Sequence, residues 1–117
     1  MVTALFVMGM FLVSCGALGV KPTSEMDDPR HHTDAGIKFL NAGNINEAQN
    51  SFARAIALDP KFSMALAGMG LVKAYQGNFE ESWKLIEKAN FYRSTKEEQV
   101  FSYVSYVRFY TMSKSRA

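Results

Sequence analysis

The sequence has 117 residues and a mass of 13.1 kDa, which suffices for one hydrophobic core but not for a separate catalytic domain. Its formal net charge of +2 is too small for a protein that binds nucleic acid by neutralising phosphates. A single cysteine excludes an internal disulfide framework, and the two histidines, His31 and His32, offer little for zinc. We therefore expect no enzymatic activity, no metal, no cofactor and no nucleic-acid partner.

The N-terminal segment is strongly apolar, because no charged residue precedes Lys21. Its most apolar part, residues 4–13, has the length of a signal-peptide core and is short for a transmembrane helix. This part ends in Leu12-Val13-Ser14-Cys15, which resembles the lipobox of bacterial lipoproteins. The resemblance implies that residues 1–14 are a lipoprotein signal peptide and that Cys15 is lipidated, which would anchor the mature chain in a membrane.

The resemblance also implies a location in the bacterial cell envelope. Gly16, in place of an aspartate, favours the outer membrane, with the protein facing the periplasm. Residues 1–3 depart from the pattern because they lack a lysine or arginine. The alternatives are an inner-membrane protein that keeps its N-terminal helix, or a truncated gene fragment. Residues 15–32 include Pro22 and Pro29, and their composition predicts a flexible tether.

The remaining sequence contains an internal repeat, since residues of the segment beginning at Asp34 recur in the segment beginning at Gly68. Substituted pairs such as Phe52 and Ile86 remain physically similar. The identical pairs, each 34 residues apart, are Gly36 and Gly70, Gly43 and Gly77, Asn44 and Asn78, Glu47 and Glu81, and Ala55 and Ala89.

This period resembles the tetratricopeptide repeat (TPR), a helix-turn-helix unit. The first copy carries the family's small, aromatic and terminating residues as Gly36, Phe39, Ala48, Phe52, Ala55 and Pro60. The resemblance implies an all-α fold over residues 33–117, with antiparallel helix hairpins stacked as a short right-handed solenoid. About two repeats and one extra helix fit this length.

Local signals place the helix boundaries. Glycine is unfavourable inside a helix, so Gly36 and Gly70 indicate close helix crossings. The spacing from Asn44 to Glu47, and from Asn78 to Glu81, predicts a capping box at the start of each second helix.

The last helix is predicted to begin near Thr95 and to end near Ser113. A register shifted by one residue aligns Ser105 with Gly70, at a spacing of 35. The helix is rich in aromatic and branched residues, and these cannot all face the preceding repeat. We therefore expect an exposed apolar patch over residues 97–112 that supports a homo-oligomer or binds an apolar segment of another protein.

In the TPR family, partners bind the concave face formed by the first helix of each pair. The resemblance places a groove for an apolar helix or peptide on this face. Self-burial of the groove by the last helix remains an open alternative. The expected groove residues are Ile37, Asn41, Leu71, Tyr75, Tyr106 and Tyr110.

One cluster contains residues of the types that bind metals, but we expect it to be a solvated turn because a tether does not preorganise ligands. Its members are Asp27, Asp28, His31, His32 and Asp34.

Overall fold

A computed structural model describes residues 24–116 of the chain, which form helices and no strands. The signal peptide predicted for residues 1–14, the lipidation site Cys15 and the tether up to residue 23 lie outside the described residues. The helices stack as neighbouring pairs in the manner of a TPR, which confirms the predicted fold class. Their bounds are α1 (Pro29–Asn41), α2 (Ile45–Leu58), α3 (Ser63–Tyr75), α4 (Phe79–Tyr92) and α5 (Lys96–Ser115).

The two hairpin turns share one geometry. Gly43 and Gly77 have φ angles of 81° and 83°, a left-handed conformation that is strained for residues with a Cβ atom. After α1, the N–H of Gly43 donates to the carbonyl of Leu40, and the N–H of Asn44 donates to that of Phe39. This pair of bonds is a Schellman motif. The same bonds recur 34 residues later, so the repeated glycines mark repeated turns.

The helix starts follow the predicted signals with one exception. Asn78 accepts a hydrogen bond from the N–H of Glu81, whereas Asn44 makes no side-chain cap at the equivalent place. The capping box predicted for α2 is therefore wrong, although α2 begins where expected. Thr95 and Glu98 form a complete capping box at the start of α5. Helix α2 ends at Leu58, just before the predicted Asp59-Pro60 stop.

The Phe52 ring fills the space between α1 and α3. The ring is completely buried, and a Cβ atom placed on Gly36 would lie 2.7 Å from its Cε1 atom. Gly68 in α3 lies even closer to the same ring. In the second copy, a Cβ on Gly70 would lie 2.7 Å from Cγ1 of Ile86. The close crossings expected at Gly36 and Gly70 are confirmed, and Gly68 is a third that the repeat did not reveal.

Helix α3 is the centre of the domain, because it packs against each of the other four helices. Every residue from Ser63 to Val72 is buried, which requires helices on all sides rather than an amphipathic stripe. Small residues at Ala65, Ala67 and Gly68 allow these helices to approach closely. The hydroxyl of Ser63 donates to the carbonyl of Ala89 at 2.7 Å, which ties the first turn of α3 to α4.

The domain begins before residue 33, because α1 begins at Pro29, inside the segment predicted as a tether. Proline suits the first turn of a helix, and Asp28 caps it by accepting from the N–H of His31 at 2.8 Å. The buried carboxylate of Asp27 accepts hydrogen bonds from Arg54 in α2, one from Nε at 2.9 Å and one from Nη2. This bidentate pair joins the segment before α1 to the first repeat.

The position of α5 corrects the predicted spacing of 35. In repeats one and two, Gly36 and Gly70 face the second helix of their own repeat. At a spacing of 35 Ser105 would take this position, yet it is completely buried, although no described helix follows α5. Only α3 and α4 pack against α5, so Ser105 faces the preceding repeat. The spacing of 34 aligns Val104 with Gly70, and Val104 is exposed as a residue without its own second helix should be.

None of the helices formed by residues 24–116 combines the length and the apolar character needed to cross a bilayer.

The contact between Gly68 and Phe52 predicts that Gly68→Ala destabilises the domain. The added methyl group overlaps a ring that is enclosed on all sides, and overpacking of this kind typically costs about 1 to 3 kcal/mol. Thermal or urea unfolding measures the change. The Phe52→Leu background should reduce the cost of Gly68→Ala, because leucine leaves room for the methyl group. Additive effects of the two substitutions would contradict the contact.

The start of α5 predicts a dependence on pH. Partial burial raises the pKa of Glu98, but hydrogen bonds from Ser94 and Thr95 outweigh it and leave the pKa below its ordinary value of 4.5. The carboxylate accepts from the N–H of Ser94 at 2.6 Å and from the N–H of Thr95 at 3.0 Å. Because the folded pKa is depressed, the stabilisation is complete above pH 4.5 and is lost as the pH falls through the folded pKa.

Glu98→Gln should therefore lower the free energy of unfolding at neutral pH by about 0.5 to 2 kcal/mol, the range for a helix cap. The loss should shrink in acid, because the wild-type carboxyl is then neutral as well. Urea unfolding at neutral pH and in acid measures both values. Glu97→Gln, one residue away and outside the capping box, is the control for a general loss of charge. A constant difference between Glu98→Gln and wild type at all pH values would contradict this account.

Candidate protein-binding surface

Helix α5 has an inverted distribution of polar and apolar residues. Its fully buried side chains are Ser102 and Ser105, while larger apolar side chains point outward. The outward residues are Val100, Tyr103, Val104, Val107 and Tyr110, whose exposed fractions lie between 47% and 68%. Serine allows α5 to lie close to α3 and α4 because it is small. The consequence is an apolar surface on the outside of the domain, as the sequence predicted for residues 97–112.

One groove on this surface, the tryptophan groove, lies between α4 and α5. It has a volume of about 380 Å³ and is lined by Trp83, Tyr106, Val107, Tyr110 and Thr111. The Trp83 ring meets the Tyr106 ring edge-on, with the ring centres 5.5 Å apart. Phe109 lies behind it, also 5.5 Å from Trp83. Such aromatic contacts fix the ring positions in advance, so the groove presents a preformed wall.

Partial burial affects the one tyrosine on the floor of this groove. The pKa of Tyr106 is raised, first because burial disfavours the phenolate and second because Glu87 is nearby. The side chain is therefore neutral at physiological pH. It offers an apolar ring and a hydroxyl rather than a charge.

The second groove, the methionine groove, lies between the first turns of α3 and α5. Its volume is about 480 Å³, and it is lined by Met64, Lys96, Glu97, Val100, Phe101 and Val104. Glu97 at its rim accepts two hydrogen bonds from Arg30 in α1, at 2.8 and 3.1 Å. The hydrogen bond to Glu97 is the main cause of the raised pKa of Arg30. The pair is exposed, so it stabilises little by itself, but it fixes the charge at the rim.

The six groove residues expected from sequence do not form one open concave surface. Leu71 is only 1% exposed and belongs to the core, so it is not available to a partner. Ile37 packs against the same core, which leaves it half-buried. The small residues of α3 cause this burial, because they draw the neighbouring helices together over Leu71. The alternative of self-burial therefore describes the middle of the concave face.

The other four residues remain at least partly accessible. Asn41 is exposed at the end of α1, and the hydroxyl of Tyr75 accepts a hydrogen bond from Arg108 at 3.0 Å. Tyr106 and Tyr110 both line the tryptophan groove. The sequence reasoning missed Trp83, which we expect from its single occurrence to pack between helices. It is 40% exposed, and its register 23 residues before Tyr106 on a neighbouring helix could have suggested a shared wall.

The cluster of aspartates and histidines is part of the fold and not a solvated turn. His32 Nε2 lies 2.7 Å from Oδ1 of Asp27, which also pairs with Arg54. Asp34 pairs with Arg30 on the next turn of α1. Within the part of the chain that the structure describes, no group of three or more histidine, cysteine or acidic side chains is arranged to hold a metal ion.

Comparison with known proteins gives partial similarities. Over 54 residues the chain is 43% identical to cellulose synthase operon protein C of Komagataeibacter xylinus, which covers 46% of the chain and 4% of that protein. The protein of the same name from Komagataeibacter sucrofermentans is 38% identical over 55 residues, 47% of the chain and 4% of its own length. Superkiller protein 3 of Schizosaccharomyces pombe is 34% identical over 74 residues, 58% of the chain and 5% of its own length.

The chain thus spans only about one twentieth of these relatives. No family model matches the sequence, and no solved structure matches it. The similarities and the stacked helices together fit a TPR-like domain of the kind that mediates protein interactions.

Proposed function

We propose that the protein is a membrane-anchored TPR-like lipoprotein that holds a protein partner at the bacterial cell envelope. The observation that carries this proposal is the inverted helix α5, which buries Ser102 and Ser105 and exposes valines and tyrosines. Exposed aromatic and branched residues weaken a soluble domain unless a partner covers them. A scaffold role requires such a surface and needs no catalytic group.

The chemistry of the tryptophan groove favours a protein partner. Tryptophan and tyrosine are the residues that most often dominate binding energy in protein interfaces, and Trp83, Tyr106 and Tyr110 stand together here. The open, elongated shape along α5 suits the apolar face of a helix or an extended peptide. The tyrosine hydroxyls at the rim can form hydrogen bonds with the backbone of that partner.

The membrane anchor is proposed from the N-terminal sequence. Residues 4–13 are apolar and end at the Leu12-Val13-Ser14-Cys15 motif, and several acyl chains on one cysteine hold a protein firmly. Gly16 supports the outer membrane, facing the periplasm. The partner would belong to envelope assembly, such as pilus formation, secretion or outer-membrane biogenesis. The relatives named for a cellulose synthase operon add polysaccharide synthesis to these processes.

The anchor proposal predicts the mass of the mature protein. When the full gene is expressed in a bacterium, protein extracted from membranes should begin at Cys15 and carry diacylglyceryl and acyl groups. Intact-mass analysis measures both features. Cys15→Ser should abolish the lipid mass and the removal of residues 1–14. If wild-type protein in membranes retains residues 1–14 and has an unmodified thiol, the lipoprotein proposal is wrong, and the inner-membrane protein with an uncleaved helix replaces it.

The partner proposal predicts selective cross-linking in the tryptophan groove. A photoreactive amino acid at position 83 should form an adduct with one envelope protein in living cells. The same amino acid at position 88, an exposed residue elsewhere on α4, is the matched control and should not form that adduct. Tyr110→Ser should then weaken the interaction by about 30-fold, as expected for a residue that contributes about 2 kcal/mol. Equal cross-linking at positions 83 and 88 would argue against the groove.

A further inference from the structure

One line of residues along the outside of α5 is spaced as in a coiled coil. The residues follow one another at alternating intervals of three and four, which places them on one narrow stripe of a helix. All six are exposed. In chain order they are Glu97, Val100, Val104, Val107, Thr111 and Lys114, and we call this stripe the valine seam.

The valine seam has β-branched residues at its centre and opposite charges at its ends. Glu97 lies in the first turn of α5, and Lys114 lies in the last. If two copies of α5 pair in an antiparallel manner, each Glu97 meets the partner copy's Lys114 and the valines meet one another. Parallel pairing instead brings Glu97 against Glu97 and Lys114 against Lys114. The charges therefore favour the antiparallel arrangement.

The neighbouring charges are compatible with this pairing. Glu97 already accepts hydrogen bonds from Arg30, but a carboxylate has acceptor sites for a second cation. Arg108, beside the seam, is held by Tyr75 at 3.0 Å and points toward α3. On the other edge, Tyr103 lies beneath Arg93, whose guanidinium carbon is 5.2 Å from the ring centre. No charged residue stands between the three valines.

We propose that the occupant of the valine seam is a second copy of this chain, paired in an antiparallel manner through α5. The register places Val104 opposite the second copy's Val107 and Val100 opposite its Thr111. Helix α5 has 20 residues and is thus about 30 Å long, so the contact is smaller than a typical stable interface of about 800 Å² per partner. The dimer is therefore one of moderate affinity, and membrane anchoring would raise the local concentration.

This inference rests on the geometry of α5 and not on the lipid anchor. The tryptophan groove shares Val107 and Thr111 with the seam, but Trp83 and Tyr106 lie outside it. Dimerisation and partner binding can therefore fail independently.

Disulfide trapping tests the orientation. Two full-length variants, each in a Cys15→Ser background, are prepared in a mild detergent with excess micelles. One carries Val100→Cys and the other carries Thr111→Cys. A disulfide requires Cα atoms within about 7 Å. Antiparallel pairing brings residue 100 to residue 111 of the second copy, whereas the two residues 100 lie about 16 Å apart, eleven residues along a helix.

The mixture of the two variants should therefore form a disulfide dimer on mild oxidation, and each variant alone should form little. The matched control is Phe91→Cys, an exposed position on α4 outside the seam, which should not trap with either variant. Strong trapping of each variant with itself would overturn the orientation. No trapping in the mixture would overturn the dimer.

Sedimentation tests whether the valines drive association. The full chain should dissociate over concentrations between about 10 and 500 µM, the range for an interface of this size. Val104→Asp introduces an unpaired charge in the seam and should raise the dissociation constant by about 30-fold or more. Phe91→Asp is the control for an added surface charge and should leave it unchanged. A wild-type chain that remains monomeric throughout, or Val104→Asp with wild-type association, would overturn the proposal.

Discussion

The packing of Phe52 against two glycines determines how the domain is assembled. The ring lies on Gly36 of its own repeat and on Gly68 of the next, so a single side chain holds the first hairpin together and joins it to the second. Repeat proteins are stabilised by contacts within each unit and between neighbours. Here the two kinds of contact are made by the same atoms. The first repeat therefore has no complete core of its own, and it folds together with α3.

The second repeat follows the same plan with smaller side chains. Ile86 takes the place of Phe52 and lies against Gly70, and Ser82 takes the place of Ala48. All four of these second-helix side chains are fully buried. The plan then reaches α5, where Ser102 stands at the position of Gly68. The series of small residues facing the preceding second helix is thus maintained, although glycine is not.

Much of this architecture could be predicted from sequence, because the repeat encodes it directly. The turns at Gly43 and Gly77, the crossings at Gly36 and Gly70 and the capping box at Thr95 all depend on local chemistry or on a fixed period. The exposed face of α5 could be predicted as well, because a helix buries only part of its circumference. The particular surfaces on that face depend on how α5 is rotated, and one residue of register changes which side chains point outward.

Other features depend on contacts between distant residues that no local pattern reveals. Asp27 looked like part of a tether, since its partner Arg54 lies 27 positions away along the chain. Asn44 and Asn78 sit in nearly identical turns, yet only Asn78 caps its helix. Leu71 occupies a family groove position but is enclosed, because the alanines and glycines of α3 bring its neighbours unusually close. In each case tertiary packing decided between two locally reasonable conformations.

The serine contacts of α5 also give the domain an uneven local stability. Removing buried valines or leucines from water contributes far more free energy than burying serines, and the hydroxyl of Ser105 is satisfied within its own helix by the carbonyl of Phe101. Detaching α5 therefore costs less than unfolding the repeats around Phe52. Local opening of this kind leaves the other helices folded, and it uncovers the side of α3 that α5 normally shields. Through such fluctuations the buried small residues of α3 become a transient second surface.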